Sequence, residues 1–447
     1  MSMTRRGFLA GCSAAIAGYS GSRFNTMAFA DPGLNQEILV TVFLRGGMDG
    51  LNFLPPIDGP DRGHYEAARP TMRIPVSGPG AAINLDGQFG LHPSAAPLYP
   101  LYQDGRLAIV HGVGMVDVVN KSHFDAMRFV ELGTPGSSSM TTGWLTRHLS
   151  SAGNLPSQIV MPSLAIGDLQ PASLLGNLET LNMTDPDYFN IDNGPWLWRN
   201  GQRKALRNIF ESDTSWLHDT GVQALDSVDI IPLNVTGGYT PSNGAVYPET
   251  SFGEHLQVLA QMIKLDLGLQ VATVDLGGWD THDEQGVGSS GYFADLLGEM
   301  AAGLAALYTD LDGAGASNYT QRLTVVVQSE FGREVNENND NGCEHGYGNS
   351  MMVLSGNANG GLHGQFPGLH PDQLVDGTDV GVTTDYRRIL SEVLIRRMCN
   401  NSLDTIFPGY TGYTPLGVVQ GTDLPPGQIF SDNFETGGLS AWSQVSG

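Results

Sequence analysis

Five short strings hold most of the side chains that could carry chemistry. GGWDTHDEQG sets Asp280 and His282 two residues apart. In extended backbone such positions point to the same side, so a carboxylate oxygen and an imidazole nitrogen can converge on one ion. SEFGREV supplies Glu330 and Arg333, and CEHGYGN supplies His345 in a glycine-rich loop whose backbone can approach a bound group closely. LRGGMDGLN puts Asp49 on a glycine turn, where it reads either as an acidic ligand or as the cap of the next segment. NKSHFDAMRF puts Ser122 and His123 at the start of a predicted helix. A hydroxyl there is an N-cap or a nucleophile favoured by the helix dipole. Taken singly, each string is also what a capping carboxylate or a solvated histidine looks like; together they suggest a site for a divalent cation.

The elements that must position these residues alternate. Glu37–Leu44 is a continuous apolar run rich in β-branched residues, as expected of a strand buried on both faces of a parallel sheet. Leu107–Val113, Gln270–Leu276, Leu323–Gln328 and Met351–Leu354 read the same way. Apolar residues at helical spacing fill Phe252–Leu267, Phe293–Leu311 and Tyr386–Met398. The fold class expected is α/β, a mostly parallel central sheet flanked by helices with right-handed crossovers. Ligands in such sheets sit beyond the carboxyl ends of the strands. Asp49, Asp280 with His282, and Glu330 all follow strands, and His345 comes shortly before one.

The expected domain spans 31–410, with 170–250, rich in Asn, Gly, Pro and Asp, as a long insertion or cap. Residues 411–447 read as a Pro/Gly linker and a sorting-like tail, similar to the FxDxFExGxxxxW segment at the ends of many exported bacterial proteins. At the other end, Thr4, Arg5, Arg6, Phe8 and Leu9 stand in twin-arginine order, followed by an apolar stretch and small residues at Ala28 and Ala30. Residues 1–30 are therefore expected to be a twin-arginine signal peptide, and the protein periplasmic, secreted or at the cell surface. A rival lipid-attachment reading at Cys12 leaves too short an apolar core, since such cores need roughly 7–15 residues.

Removing that signal leaves 19 of the 22 basic residues against 46 acidic ones, a net of −27. Such a field repels phosphate backbones and excludes nucleic acid as a natural partner. No stretch approaches the roughly 18 uninterrupted apolar residues of a membrane span, so stable membrane insertion is not expected. Two cysteines remain, Cys343 and Cys399, too few for a disulfide scaffold. Cys343 reads as a ligand, a partner of Cys399 or a small buried side chain. The first turn, RGGMDG, lacks the GxGxxG spacing of dinucleotide sites.

The strings VFLRGGMDGLN, SHFDAMRF, GWLTRHL, LGGWDTHDEQG, SEFGREV, EHGYGNSMMVL and TTDYRRILSEVL resemble, in order, the signature blocks of the domain-of-unknown-function 1501 family. That family is similar in fold to the alkaline phosphatase and sulfatase superfamily, which cleaves or transfers phosphate and sulfate esters at a two-metal site. The resemblance implies metal ligands at Asp49, Asp280, His282, Glu330 and His345, and a hydroxyl nucleophile at Ser122. It implies one or two divalent ions (Zn, Mn or Ca) and a small-molecule ester substrate. Arg45 and Arg333 would clamp ester oxygens, and His123 would act as acid or base or support the loop. Two departures stand out: the DxH spacing is tighter than the superfamily's, and Phe331 stands where an imidazole is expected, so a second ion would need other ligands, such as Asp283, Glu344 or Asn349. A catalytically degenerate binding or assembly protein, with an exported protein partner, is the alternative.

Overall fold

A computed structural model describes residues 37–153, 161–167, 169–191, 195–235 and 238–424. The expected signal peptide, with Cys12, and the sorting-like tail from residue 425 onward lie outside them.

Strand β1 (Ile38–Leu44) is buried at every position. Its two-residue period splits the run between two cores: Ile38, Val40, Val42 and Leu44 face one, Leu39 and Phe43 the other. A strand covered on both sides has no polar face to show, which is why it reads as a solid apolar block. The other strands of the sheet are β2 (Leu107–Gly114), β3 (Ser163–Ile166), β4 (Thr180–Met183), β5 (Val271–Leu276), β6 (Leu323–Gln328), β7 (Asn349–Ser355), β8 (Gly361–His363) and β9 (Thr384–Asp385). Their order is β8-β2-β7-β6-β1-β5-β3-β4, with β9 also paired to β2.

Every pairing is parallel except the two made by β7, which runs antiparallel to both β2 and β6. Met351–Leu354 was expected to match its parallel neighbours; the correction is one of direction, since β7 alternates between the two cores as they do. The reversal has a positional effect. The chain enters β7 at the edge where β1, β5 and β6 end, so a residue preceding β7 joins residues that follow the others.

The helices of eight residues or more are α1 (Gly59–Ala68), α2 (His123–Leu132), α3 (Trp144–Ser151), α4 (Trp196–Phe210), α5 (Trp216–Val235), α6 (Ser251–Lys264), α7 (Tyr292–Leu311) and α8 (Tyr386–Arg396). α6 and α7 cover the first face through Leu256, Leu259, Ile263, Leu297, Met300 and Leu304. α2, α3 and α8 cover the second through Ala126, Val130, Trp144, Leu145, Ile389 and Val393. Thr250 caps α6 by accepting from the Gly253 amide, and Asp385 caps α8 by accepting from Arg387.

The stretch read as an insertion is partly integral to the sheet, because β4 pairs with β3 while α4 and α5 form a helical hairpin. The segment read as a linker is fastened as far as it is described. Glu392 of α8, fully buried, accepts from the Leu416, Gly417 and Val419 amides, and Val418 and Val419 enter the second core. No described helix is long and apolar enough to cross a membrane. Cys343 and Cys399 are free thiols, and burial pushes the Cys343 thiol up to about 12.

Candidate metal centre

The site lies at the carboxyl edge of β5, β1 and β6, and its floor is set by glycine and arginine. Gly46 and Gly47 follow β1 at φ of 123° and 69°, in the half of conformational space that disfavours side chains. A Cβ at Gly46 would come 2.5 Å from the Asp280 amide nitrogen, and one at Gly47 2.6 Å from the Phe331 ring. Only bare backbone lets these loops touch. Arg333, its side chain fully buried, then ties them: Nε donates to the Gly47 carbonyl at 2.7 Å, Nη1 to Cys343 at 2.9 Å, and Nη2 to Gly46, to Trp279 at 3.0 Å and to Asp280 Oδ1 at 2.7 Å.

On that floor stand three histidines and one carboxylate. Asp280 Oδ1 lies 3.2 Å from His123 Nε2, 3.1 Å from His282 Nε2 and 3.1 Å from His345 Nε2. The Nε2 atoms of His282 and His345 are 2.8 Å apart. His123, Asp280 and His345 form a group that could hold a metal ion, their ligand atoms all within 4.8 Å of one another.

What stands behind each ring fixes its proton. His123 Nδ1 is 2.7 Å from Glu330 Oε1, His282 Nδ1 2.7 Å from Glu344 Oε2, and His345 Nδ1 2.7 Å from the Lys121 carbonyl oxygen. Carbonyl and carboxylate oxygens accept, so each Nδ1 is placed to donate outward, while each Nε2 faces the Asp280 carboxylate. Metal-binding histidines are typically oriented by such outer contacts. The His123 Nε2 atom is buried and makes no hydrogen bond, though it faces Asp280. A buried imidazole nitrogen with no hydrogen bond, aimed at a carboxylate 3.2 Å away, fits a cation between them. The set of three imidazoles and one carboxylate suits zinc; calcium prefers oxygen ligands throughout.

The electrostatics agree with a closely coupled cluster. Burial works against the Asp280 charge, but Arg333 and His345 outweigh it and hold its carboxyl well below the usual range. The hydrogen bond to Glu330 raises the His123 imidazole, whereas burial lowers that of His345.

Several sequence expectations are corrected by these contacts. Asp49 does not face the cluster: its carboxylate, fully buried, accepts from Arg69 Nη1 at 2.6 Å, Gln285 Nε2 at 2.6 Å and the Asn52 amide at 3.2 Å. It is the N-cap of the helical turn Gly50–Phe53, and burial notwithstanding, Arg69 keeps it ionised. Glu330 stands behind the ligands rather than among them, its Oε1 accepting from the Gly46 amide at 2.9 Å as well as from His123. Arg45 is engaged by Asp275 and Glu131, and Arg333 by the loops it ties, so neither is free to clamp an ester.

Asn349 is likewise spent, donating to the Met48 and Phe331 carbonyls and accepting from Ser350. Phe331 packs against the His123 and His345 rings at centroid distances of 4.9 and 4.8 Å, a platform where an imidazole was expected.

Ser122 is exposed and precedes α2, but its side chain makes no cap hydrogen bond. It lies between Lys121, whose carbonyl holds His345, and His123. The candidate ligand not named as one from the sequence is His123, expected there to serve proton transfer or support the loop. Its signal was present in SHFDAMRF, a histidine in the first turn of a helix next to a hydroxyl. Beside the cluster opens a cleft of about 320 Å³ lined by Gly278, Asp280, Thr281, Asp283, Glu284 and Tyr292.

No curated protein matches this chain. Among solved structures it resembles the lipoteichoic acid synthase LtaP from Listeria monocytogenes at 12% identity and a TM-score of 0.33, over 93% of this chain and 81% of that one, too distant a likeness to bear on its chemistry. Residues 242–398, which carry Asp280, His282, Glu330, Arg333 and His345 but not His123, match the family model described as "Protein of unknown function (DUF1501)".

Proposed function

We propose that this chain is an exported, metal-dependent hydrolase of phosphate or sulfate esters. The observation that carries the reading is the convergence of three histidine Nε2 atoms on Asp280 Oδ1, each ring fixed from behind through Nδ1. His123, Asp280 and His345 would hold a divalent ion, with His282 as a fourth ligand. Such an ion supplies charge to neutralise a developing oxyanion and to acidify a nearby hydroxyl. The chain's own contributions are separate. Ser122, uncommitted as a cap, offers the attacking hydroxyl, and Glu330 and Glu344 hold the imidazole protons away from the ion. Asp280, ionised through the pull of Arg333, keeps an anionic ligand in place at neutral pH. Export rests on the twin-arginine order at Arg5 and Arg6.

The test is a panel of aryl phosphates and aryl sulfates, offered to the mature chain with Zn, Mn or Ca, beside Ser122→Ala and His123→Ala. Turnover that needs the ion, with Ser122→Ala inactive yet still metal-loaded, supports the reading. A metal-loaded chain silent on every ester overturns it.

One observation favours a second reading, a binding or assembly protein that keeps a structural ion: both arginines expected to grip the ester are tied into the fold. A silent panel together with one stoichiometric exported partner would support it.

A further inference from the structure

A second feature borders the Arg333 tie, where the ladder between β2 and β7 slips. Val110 pairs with Met351 and Val113 with Asn349, so two residues, His111 and Gly112, stand opposite Ser350 alone. This is a β-bulge, which leaves a residue out of the ladder and re-aims side chains. Gly112 takes the turn at φ 59°, where an added Cβ would meet the Thr383 hydroxyl. Alternation from Ile109 and from Met352, both in the first core, puts His111 and Ser350 on that same side of the sheet.

Both side chains are more than nine-tenths buried, His111 at 6% exposure and Ser350 at 7%. The Ser350 Oγ atom has no hydrogen-bond partner. The His111 ring packs on Phe89 and Phe366, at centroid distances of 4.4 and 5.5 Å, and hydrogen-bonds to no described residue. Burial lowers its imidazole to about 4, so at neutral pH the ring has one N–H and one lone pair to satisfy. The two side chains line one cavity of about 20 Å³, together with Leu51, Leu54, Asn349 and Arg333.

We propose that this cavity is a binding site for one ordered water molecule, which bridges the His111 imidazole and the Ser350 hydroxyl across the bulge. Its volume exceeds the roughly 10–15 Å³ that a single water needs and leaves no room for an organic ligand. Buried polar groups are paired as a rule, and empty cavities are apolar throughout, whereas this one is lined by a hydroxyl and an imidazole that no other residue meets. A metal ion is a poor fit, since the lining offers one imidazole and no carboxylate, and Arg333 stands beside it. Asn349 has nothing left to offer a ligand, because its amide is spent on the Met48 and Phe331 carbonyls and the Ser350 amide. The water therefore joins the two strands where the bulge parts them, next to the two side chains, Asn349 and Arg333, that hold the floor of the metal centre. The inference does not depend on what that centre binds.

The test is crystallography of the chain at a resolution that shows ordered water, beside urea unfolding of Ser350→Ala, His111→Phe and the double variant. Wild type should show one water within about 3.2 Å of both Ser350 Oγ and a His111 ring nitrogen, and the double variant should lack it. Each single variant strands the other partner and should lower the urea midpoint at constant slope. With both polar groups gone, the double variant should lie no lower than the worse single. A wild-type cavity without water, a water that touches only one of the two side chains, or midpoint losses that add in the double variant overturns the inference.

Discussion

His123 Nε2 stands 3.2 Å from Asp280 Oδ1, buried and without a hydrogen bond, while its Nδ1 is held 2.7 Å from Glu330. The two contacts differ in kind. The ring is gripped on one side and presented on the other, and Glu330, its own carboxylate fully buried and also accepting from Gly46, cannot turn to become a ligand without releasing both.

The first prediction follows from that division. Wild type should bind one zinc ion per chain by metal analysis, and His123→Ala or His345→Ala should abolish it. Glu330→Gln keeps shape but exchanges an ionised acceptor for an amide, so zinc should still bind, about 10–100-fold more weakly. Equal affinity in Glu330→Gln and wild type would remove Glu330 from the site.

Arg333 leads to a prediction about folding. Replacing it by Met leaves the carbonyls of Gly46, Gly47, Cys343 and Trp279 without their buried donor. The expected cost is roughly 3–5 kcal/mol of stability, read as a lower urea midpoint at constant slope. If Arg333 were an ester clamp, the loss would fall on substrate affinity with stability intact.

Gly46→Ala should strike the metal centre through the backbone. The residue sits at φ 123°, and the added methyl would press on the Asp280 amide. Strain of about 1–3 kcal/mol is expected, with weakened zinc binding measured by competition against a chromophoric chelator. Unaltered affinity would show that the turn after β1 does not set Asp280.

Acid should destabilise the chain through histidines remote from the ligands. Burial lowers His92, His111 and His148 from 6.5 to about 4. The unfolded chain therefore binds more protons between those values. Stability is full above pH 6.5 and falls as the pH drops toward 4, by at most about 3 kcal/mol for each histidine. Urea midpoints from pH 7.5 to 4.5 should decline steadily; a level profile would contradict this burial.

Much of the architecture was legible because apolar runs betray sheltered strands: β1, β2, β5 and β6 are found within a residue or so of their expected bounds. The direction of β7 was not, because an apolar run reads alike in either sense and direction depends on connections. The short edge strands β4, β8 and β9 left too little pattern to see. Within the site, Asp280, His282 and His345 were read from local strings, and their convergence is a matter of geometry. Asp49 was misread since a carboxylate on a glycine turn looks the same whether it meets a metal or a guanidinium, and Arg69 is 20 residues away in the chain. Arg333 misled for a related reason: sequence states a charge and not where it is spent.

That last residue bears on how the protein could be altered. With a single guanidinium fastened to the turns after β1 and β5 and to the approach to β7, the three behave as one machined part, and none can be lengthened or regrafted alone. Redesign of the site would best leave that part whole and exchange what surrounds it, the segment before α2 carrying Ser122 or the residues that border the cleft beside Tyr292.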